Sequence, residues 1–228
     1  SQIMHRSMGN ALFPTVTYRH NSGGDPECIA DLTHKQLLDF HRFYYHPSNA
    51  YFYTYGDIDL EKRLQVINVS LTEFDKIDID TIVPDEKRFT SPQSFRYQYP
   101  LNQAENDGEK CQIALGWLTC SIQDPVEILS LQVINLILLG HSGAPLRKKL
   151  LESKLGKSLA DTTGFEDEIK EAYFSVGLQA VAEKNIPQVE KLIFETLQEI
   201  VDAGIEPEQV NSAIHQMELD TREISGGH

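Results

Sequence analysis

The chain has 228 residues, of which 40% are apolar, and its formal net charge at pH 7 is −14. That apolar content is ordinary for a globular protein with a buried core. Lysine and arginine are scattered without forming a basic face, and the longest apolar run, 133–140, is far shorter than the roughly 20 residues that span a membrane. We therefore expect no nucleic-acid partner and no membrane partner, and we expect charged partners to be cationic.

The start of the sequence, SQIMHRSMGN, lacks the apolar stretch of a secretory signal. It runs directly into a stretch that is typical of the middle of a domain, so we expect both ends to lie inside a longer chain. The cysteines are Cys28, Cys111 and Cys120, which lie far apart without a CxxC pair. They indicate neither a disulfide scaffold nor a zinc ribbon, and they favour a reducing compartment.

The first distinctive segment is NSGGDP, residues 21–26. Consecutive glycines could let backbone N–H groups cradle a phosphate, or the segment could be a tight turn in which Gly23 and Gly24 supply positive φ and Asp25 closes an Asx-turn. A phosphate loop needs a Lys-Ser/Thr pair directly after its glycines, but Glu27 and Cys28 follow here. The sequence therefore favours the turn.

Two helices and a strand are predicted next. Thr33 and Gln36 form a capping box at the start of a helix that Pro47 ends, and Asp59 caps a second helix with one apolar stripe. Between the helices, NAYFYTYG at 49–56 is rich in aromatic residues and predicts a buried strand. From residue 75 to 110 the periodicity fails, prolines and charges accumulate, and we expect a linker with one short strand at 94–99.

The remaining sequence predicts a separate set of elements. CQIALGWLT predicts a strand; an apolar helix opens at Asp124 and Pro125 and ends at Gly140; a shorter helix covers GAPLRKKLLESKLG up to Gly156. Strands at KSLADTTGF and EAYFSVGLQAVA and helices at 187–204 and 207–223 follow. The order β-α-α-β-β-α-α does not alternate, so we predict an α+β fold with a mostly antiparallel sheet and helices on one face.

The histidines do not make a metal motif. His34 and His41 are seven residues apart and His41 and His46 are five apart, so neither pair has the i, i+4 spacing of two ligands on one helix. HQME, beginning at His215, matches four residues of an H-x-x-E-H motif, but Leu219 replaces the second histidine. We expect His215 on a solvated helix face and His141 beside a helix end, where its charge would be favourable.

Nucleophilic catalysis has no signature in the sequence either. There is no G-x-S-x-G elbow, and none of the cysteines lies in a protease nucleophile motif. The second glycine-containing spot, Ser142–Gly143, lacks the downstream residues of a phosphate loop. Spacing alone thus predicts an acidic α+β segment without a complete active site.

One stretch, 22–60, resembles a known family. The words SGGDP, LTHKQLLDFH, YYHPSNA and TYGDI occur ungapped and in the family's order, and a looser likeness continues through LRKKLLESKLG and EAYFSVGLQAVAEKNI. On these words the chain resembles the pitrilysin-type inverted-zinc-motif metallopeptidases, in the presequence protease and falcilysin subfamily. The resemblance covers nearly the whole chain.

The resemblance implies an internal fragment of a larger enzyme. Such enzymes have four related α+β domains in two bowl-shaped halves around a chamber where unfolded oligopeptides are cut. Their zinc is bound by the histidines of H-x-x-E-H and a later glutamate, and none of these residues has a match here. The implied organisation is the end of a catalytic-type domain at 1–74, a linker at 75–110 and most of a second, non-catalytic domain at 111–228.

Several functional expectations follow from the resemblance. The segment would be scaffold and chamber wall, inactive and without specific zinc when isolated, and its partners would be oligopeptides and the remaining domains of the parent chain. Ser22, Gly23, Gly24 and Asp25 are candidate substrate contacts, although Asp25 is the natural turn former, and the acidic charge would favour basic peptides. The alternative is a catalytically silent partner or structural subunit of the same fold. A bacterial cytoplasm and an organelle matrix fit equally well.

Overall fold

The structure is a computed structural model that describes residues 2–100, 108 and 110–223. The chain divides into two compact units, one of residues 21–83 and one that combines residues 1–20 with 84–228. The α-helices are α1 (Gln2–Leu12), α2 (Pro26–Ile29), α3 (His34–Tyr44), α4 (Leu60–Leu71), α5 (Pro125–Leu139), α6 (Pro145–Glu152), α7 (Ile186–Ala203) and α8 (Pro207–Arg222). The strands are β1 (Cys111–Ser121), β2 (Ser158–Leu159), β3 (Gly164–Glu166) and β4 (Glu171–Val181).

The larger unit is built on one antiparallel sheet. β1 pairs with β4 along most of its length, and β2 and β3 pair with β4. The strand predicted around KSLADTTGF is therefore two short strands, separated by a turn in which Thr163 N donates to Ala160 O. Because β4 lies between β1 and the short strands, it is the most buried strand of the sheet.

One face of the sheet carries the main core. Phe174, Val176 and Leu178 of β4 face helices α5, α6 and α7, together with Cys111, Ile113, Leu115 and Trp117 of β1. Ala180 has a φ of 54°, and the β1–β4 register shifts near it, so Val181 takes the core position that alternation would give to residue 180. The buried members of this core are Leu138, Leu139, Leu146, Leu150, Val176, Leu178, Val181, Val189 and Ile193.

The opposite face of the sheet is covered by α1. A Cβ atom at Gly116 would lie 2.8 Å from Met8 Sδ and 3.3 Å from a methyl of Leu12, so a larger residue there would require these side chains to shift. Phe13, which is fully buried, packs edge-on against Tyr173 with a ring-centroid distance of 6.2 Å. The apolar side of α1 thereby closes the sheet from the side away from α5–α7.

The smaller unit contains α2, α3 and α4. The predicted capping box is confirmed, with Gln36 N donating to Thr33 Oγ1 at 3.3 Å and Thr33 N donating to Gln36 Oε1 at 2.8 Å. Asp59 caps α4 as predicted, accepting from Lys62 N at 3.2 Å. In the larger unit, Asp124 caps α5 in the same way, through Glu127 N at 3.1 Å.

Two predicted strands are wrong. Residues 49–56 form no strand, and Tyr53 and Tyr55 are 85% and 86% exposed. Residues 94–99 form no strand either. Both segments have strand-like composition, but a strand is stable only when a neighbour accepts its hydrogen bonds, and among the described residues no such neighbour pairs with either segment.

The predicted α+β class with an antiparallel sheet is confirmed, with α5–α7 on one face and α1 added on the other. The helices predicted from 125 onward are confirmed. No helix in the described part of the chain has the length and apolar character of a membrane span. The domain boundaries at 74 and 110 stay a prediction.

Gly177→Ala tests how closely β1 and β4 approach. A Cβ atom at residue 177 would lie 1.9 Å from Ile113 O and 2.6 Å from Ala114 Cα, so the substitution must push the strands apart. We expect it to lower the free energy of unfolding of the larger unit by about 3 kcal/mol or more. The measurement is urea unfolding followed by the fluorescence of Trp117, the one tryptophan of the chain, which lies in β1.

Gly143→Ala is the matched control. A Cβ atom there meets only the His141 ring, at 3.4 Å or more, so we expect little change. Equal stability of the two variants would contradict the close approach of the strands.

Candidate functional site

The segment 21–26 forms a self-contained turn. Gly24 has a φ of 83°, and its N–H donates to Asn21 O at 2.8 Å, while Asn21 Nδ2 donates back to Gly24 O at 3.0 Å. Asp25 Oδ1 accepts from Glu27 N at 3.1 Å and caps α2. The turn interpretation is therefore confirmed, but the positive φ predicted for Gly23 is wrong, because only Gly24 of the two glycines adopts it.

The same geometry shows how exposed the four candidate contact residues are and which of their polar groups are already used in the turn. Ser22 and Gly23 are exposed and Gly24 and Asp25 are half-buried. Asp25 uses one carboxylate oxygen as a helix cap, and α2 is only four residues long, so its start has little dipole to offer an anion. The role of Ser22, Gly23, Gly24 and Asp25 as substrate contacts stays a prediction.

The histidines of the smaller unit have structural contacts. The His41 ring stacks on Tyr45 at a centroid distance of 4.8 Å. His46 Nδ1 accepts from Ser48 N at 3.1 Å and its ring contacts Phe74 edge-on at 5.5 Å. The His46 imidazole thus accepts a backbone hydrogen bond, and both rings pack against neighbouring aromatic side chains.

His141 and His215 lie in the larger unit. His215 Nδ1 lies 3.9 Å from Glu218 Oε2 on the exposed side of α8, so the solvated helix face predicted for His215 is confirmed. His141 follows the end of α5, and its carbonyl accepts from Ala144 N at 3.0 Å. The favourable charge effect of His141 at that helix end stays a prediction.

Metal ligands do not converge in this segment. Within residues 2–100, 108 and 110–223, no three His, Cys, Asp or Glu side chains form a group that could hold a metal ion. The described residues therefore do not fit the zinc that the resemblance implies for the parent enzyme, and no chemistry is assigned to a metal in this part of the chain.

The most distinctive polar feature is a carboxylate that sequence reasoning missed. Glu86 is only 4% exposed although it lies in the charged stretch PDEKR. One of its oxygens accepts from Thr15 N at 2.9 Å and Val16 N at 3.1 Å, and the other accepts from Thr15 Oγ1 at 2.7 Å and Lys87 N at 2.9 Å. Four hydrogen-bond donors of the protein thus take the place of the water molecules that would otherwise solvate this carboxylate.

A second buried carboxylate, Glu171, extends this cluster to the start of β4. Its Oε2 accepts from Glu86 N at 2.6 Å, and its Oε1 lies 2.7 Å from Arg88 Nη1. Lys170 adds an ion pair to Asp85 at 2.7 Å. The cluster thus joins the loop after α1, the segment 85–88 and the beginning of β4.

The donors around Glu86 decide its ionisation. Burial raises the pKa of Glu86, but hydrogen bonds from Thr15, Lys87 and Val16 lower it by more, so the pKa lies below its ordinary value of 4.5. Lys170 lowers the pKa of Asp85 through a hydrogen bond and its charge. Burial, with the charge of Glu166, raises the pKa of Tyr173 to about 12, so that phenol stays neutral.

No local signal in the sequence could have identified Glu86. Its neighbours are charged and proline-rich, which is typical of a solvated linker, and its donors come from residues about 70 positions earlier. Because every described contact of Glu86 is to a donor within the fold, the arrangement is suited to holding segments together and leaves little capacity for binding an external ligand.

Glu86→Gln tests this arrangement. The amide NH2 group of glutamine replaces a carboxylate oxygen that accepts hydrogen bonds, so it would face the N–H and O–H donors around it without a partner. We therefore expect the free energy of unfolding of the larger unit to fall by about 1–3 kcal/mol at neutral pH. The pKa of Glu86 is lower in the folded chain, so its contribution is present above the ordinary pKa of 4.5 and is lost as pH falls below it. The variant should therefore show a weaker loss of stability in acid than the wild type.

Urea unfolding by Trp117 fluorescence between about pH 7 and about pH 3 measures both effects. Glu190→Gln makes the same chemical change at an exposed position of α7 and is the control. A parallel pH dependence in the wild type and Glu86→Gln would contradict the assignment.

Comparison with protein families shows which family model and which known proteins this chain resembles. Residues 31–217 match the family model described as "Peptidase M16 inactive domain". The mouse protein named "Presequence protease, mitochondrial" is 34% identical over 98% of this chain and 22% of its own length. "Presequence protease 1, chloroplastic/mitochondrial" of Arabidopsis thaliana is 34% identical over 99% of this chain and 21% of its own, and "Protein HypA" of Clostridium perfringens is 30% identical over 97% and 23%.

Solved structures share the fold at low sequence identity. A crystal structure of a peptidase M16 inactive domain from Pseudomonas fluorescens aligns with a TM-score of 0.67 and 17% identity, over 97% of this chain and 51% of that one. A putative M16-like peptidase from Alicyclobacillus acidocaldarius aligns with a TM-score of 0.57 and 17% identity, over 93% and 49%. The chain spans about a fifth of the length of the curated relatives it matches.

Proposed function

This chain belongs to the peptidase M16 family as an inactive-type domain, and we propose from this membership that it is part of a zinc metalloendopeptidase that degrades short, unstructured, presequence-like peptides. The observation that carries the proposal is the 34% identity to presequence proteases across 98% of the chain. The mouse and Arabidopsis relatives are proteases by name, whereas the domain matched here is described as inactive. The activity thus belongs to the parent chain.

The role that we propose for this segment is scaffold and wall of a closed chamber. Residues 1–74 would be the end of a catalytic-type domain, 75–110 the connection and 111–228 most of the second domain. Zinc would be held by residues elsewhere in the parent, as the resemblance implies, and among the residues that the structure describes here no group fits it. What the larger unit supplies is an antiparallel sheet packed on helices around a buried apolar core.

The smaller unit, 21–83, supports the idea that further domains of the parent are partners. Large apolar side chains project from α3 and α4 and from the extended segment 50–59 into solvent. A unit that exposes so much apolar surface is normally covered by another part of a protein. In the smaller unit the large apolar side chains that are more than 60% exposed are Leu32, Leu37, Tyr45, Tyr51, Tyr53, Tyr55, Leu60, Val66, Val69 and Ile82.

We propose that the peptides are basic. The net charge of −14 would attract cationic segments over distances of about 10 Å at moderate salt, and in the Ser22–Asp25 turn Ser22 and Gly23 are exposed at the surface. In the parent enzyme, replacing exposed acidic residues such as Asp31, Asp39 and Asp57 by their amides should raise KM for a basic peptide more than for a neutral peptide of equal length. An unchanged KM ratio between the two peptides would contradict the electrostatic preference.

The alternative is a catalytically silent partner or structural subunit. An inactive-type domain occurs equally well in such a protein, so the description of the matched family favours neither. The coding sequence upstream of residue 1 distinguishes them. An in-frame H-x-x-E-H motif with a later glutamate supports the peptidase, and an open frame with a degraded motif supports the silent partner.

The isolated 228-residue chain provides the biochemical test. We expect it neither to retain zinc through gel filtration nor to cleave a presequence-like peptide, because the zinc ligands and the general base would lie elsewhere in the parent. Metal analysis by plasma spectrometry and peptide analysis by liquid chromatography measure the two properties, with the parent chain as the positive control. If the isolated segment cleaves the peptide and a chelator abolishes this cleavage, the proposal that the active site lies elsewhere in the parent is contradicted.

A further inference from the structure

The outer edge of β1 has the properties of an edge to which another strand can add. It is eleven residues long, CQIALGWLTCS, without a charge or a proline. Among the described strands it pairs with β4 alone, so its outer edge has no strand partner. Long, uncharged edges of this kind are sites of strand addition and aggregation, and proteins normally protect them with charges, prolines or a covering segment.

The segment 85–99, which we call the strap, runs from one end of β1 to the other. Its near end is fixed at the carboxyl end of β1, where Arg88 Nη2 donates to Thr119 O at 3.3 Å and Arg88 Nη1 pairs with Glu171 at 2.7 Å. Glu86 is buried at the same end. The near end is therefore bound by two buried carboxylates, Glu86 and Glu171, and by Arg88, whose side chain is 45% exposed.

The far end of the strap lies at the amino end of β1. Tyr99 donates its hydroxyl proton to the carbonyl of Lys110, the residue before β1, and Arg96 pairs with Glu183, just beyond the end of β4. The side chains of Arg96 and Glu183 are 76% and 68% exposed. An ion pair as exposed as this is weak, so the far end is held less firmly than the near end.

Between its ends the strap has features that oppose strand pairing. It bends at Thr90 and Ser91, Pro92 follows, and the bend brings the rings of Phe89 and Phe95 to a centroid distance of 6.2 Å. No ladder joins residues 89–98 to β1 in the described structure. Proline and basic side chains are the features that β1 itself lacks.

We propose that the strap guards the outer edge of β1 against strand addition by a second copy of this chain. With both ends attached, the bent and basic strap occupies the space along the edge that an incoming strand needs. The far end opens first because its ion pair, Arg96–Glu183, is exposed, and the buried carboxylates at the near end keep the strap tethered. Opening at Arg96 and Tyr99 therefore exposes an edge without unfolding the sheet.

The test compares self-association of the Arg96→Ala/Tyr99→Phe variant with that of a matched control. Lys149→Ala/Tyr55→Phe also removes one positive charge and one hydroxyl, and it breaks an ion pair, Lys149–Glu199, whose side chains are 48% and 60% exposed on α6 and α7. Analytical ultracentrifugation gives the dissociation constants. We expect about tenfold tighter self-association of the strap variant, in keeping with the loss of one exposed ion pair and one hydrogen bond.

Hydrogen exchange locates the contact. Peptides that cover 111–121 should take up less deuterium when the strap variant associates, while Trp117 fluorescence confirms that its sheet is intact. Equal dissociation constants for the strap variant and the control would overturn the proposal. So would association that protects residues 21–83 in place of 111–121, because the second copy would then bind the apolar surface of the smaller unit.

Discussion

The antiparallel pairing of β1 with β4 is the interaction on which the larger unit depends. It presents Phe174, Val176 and Leu178 to the core formed with α5–α7, and it presents Gly116 to α1 on the opposite face. Both layers are fixed by the same ladder, so a displacement of one strand changes both. The near contact of Gly177 with Ile113 O leaves little room for such a displacement.

Local chemistry allowed much of the fold to be predicted. Helix starts at Thr33, Asp59 and Asp124 were identified because a cap and its partner lie within four residues of each other. The strand prediction at 49–56 failed because composition reports a preference for extended backbone and not the presence of a pairing partner. Glu86 was overlooked for a related reason, since its donors Thr15 and Val16 are remote in sequence.

The buried carboxylates explain how an inactive-type domain can contain closely placed acidic groups without metal chemistry. Glu86 and Glu171 approach through a backbone N–H of Glu86, and their oxygens are directed at backbone donors, Thr15 and Arg88. Their lone pairs are thus used inside the fold. A metal site needs oxygens or nitrogens that converge on one open position. In this cluster the carboxylate oxygens instead accept from donors on different segments of the chain.

The larger unit is discontinuous in sequence, because residues 1–20 belong with 84–228. The hydrogen bond from Lys170 N to the Tyr18 hydroxyl joins residues 152 positions apart. During synthesis, α1 leaves the ribosome long before β4 exists, and at about 5–20 residues per second the wait lasts roughly ten seconds or longer. Throughout that interval Met8, Leu12 and Phe13 have no sheet to cover them, so the nascent chain presents an apolar helix to the cell's chaperones before it can fold.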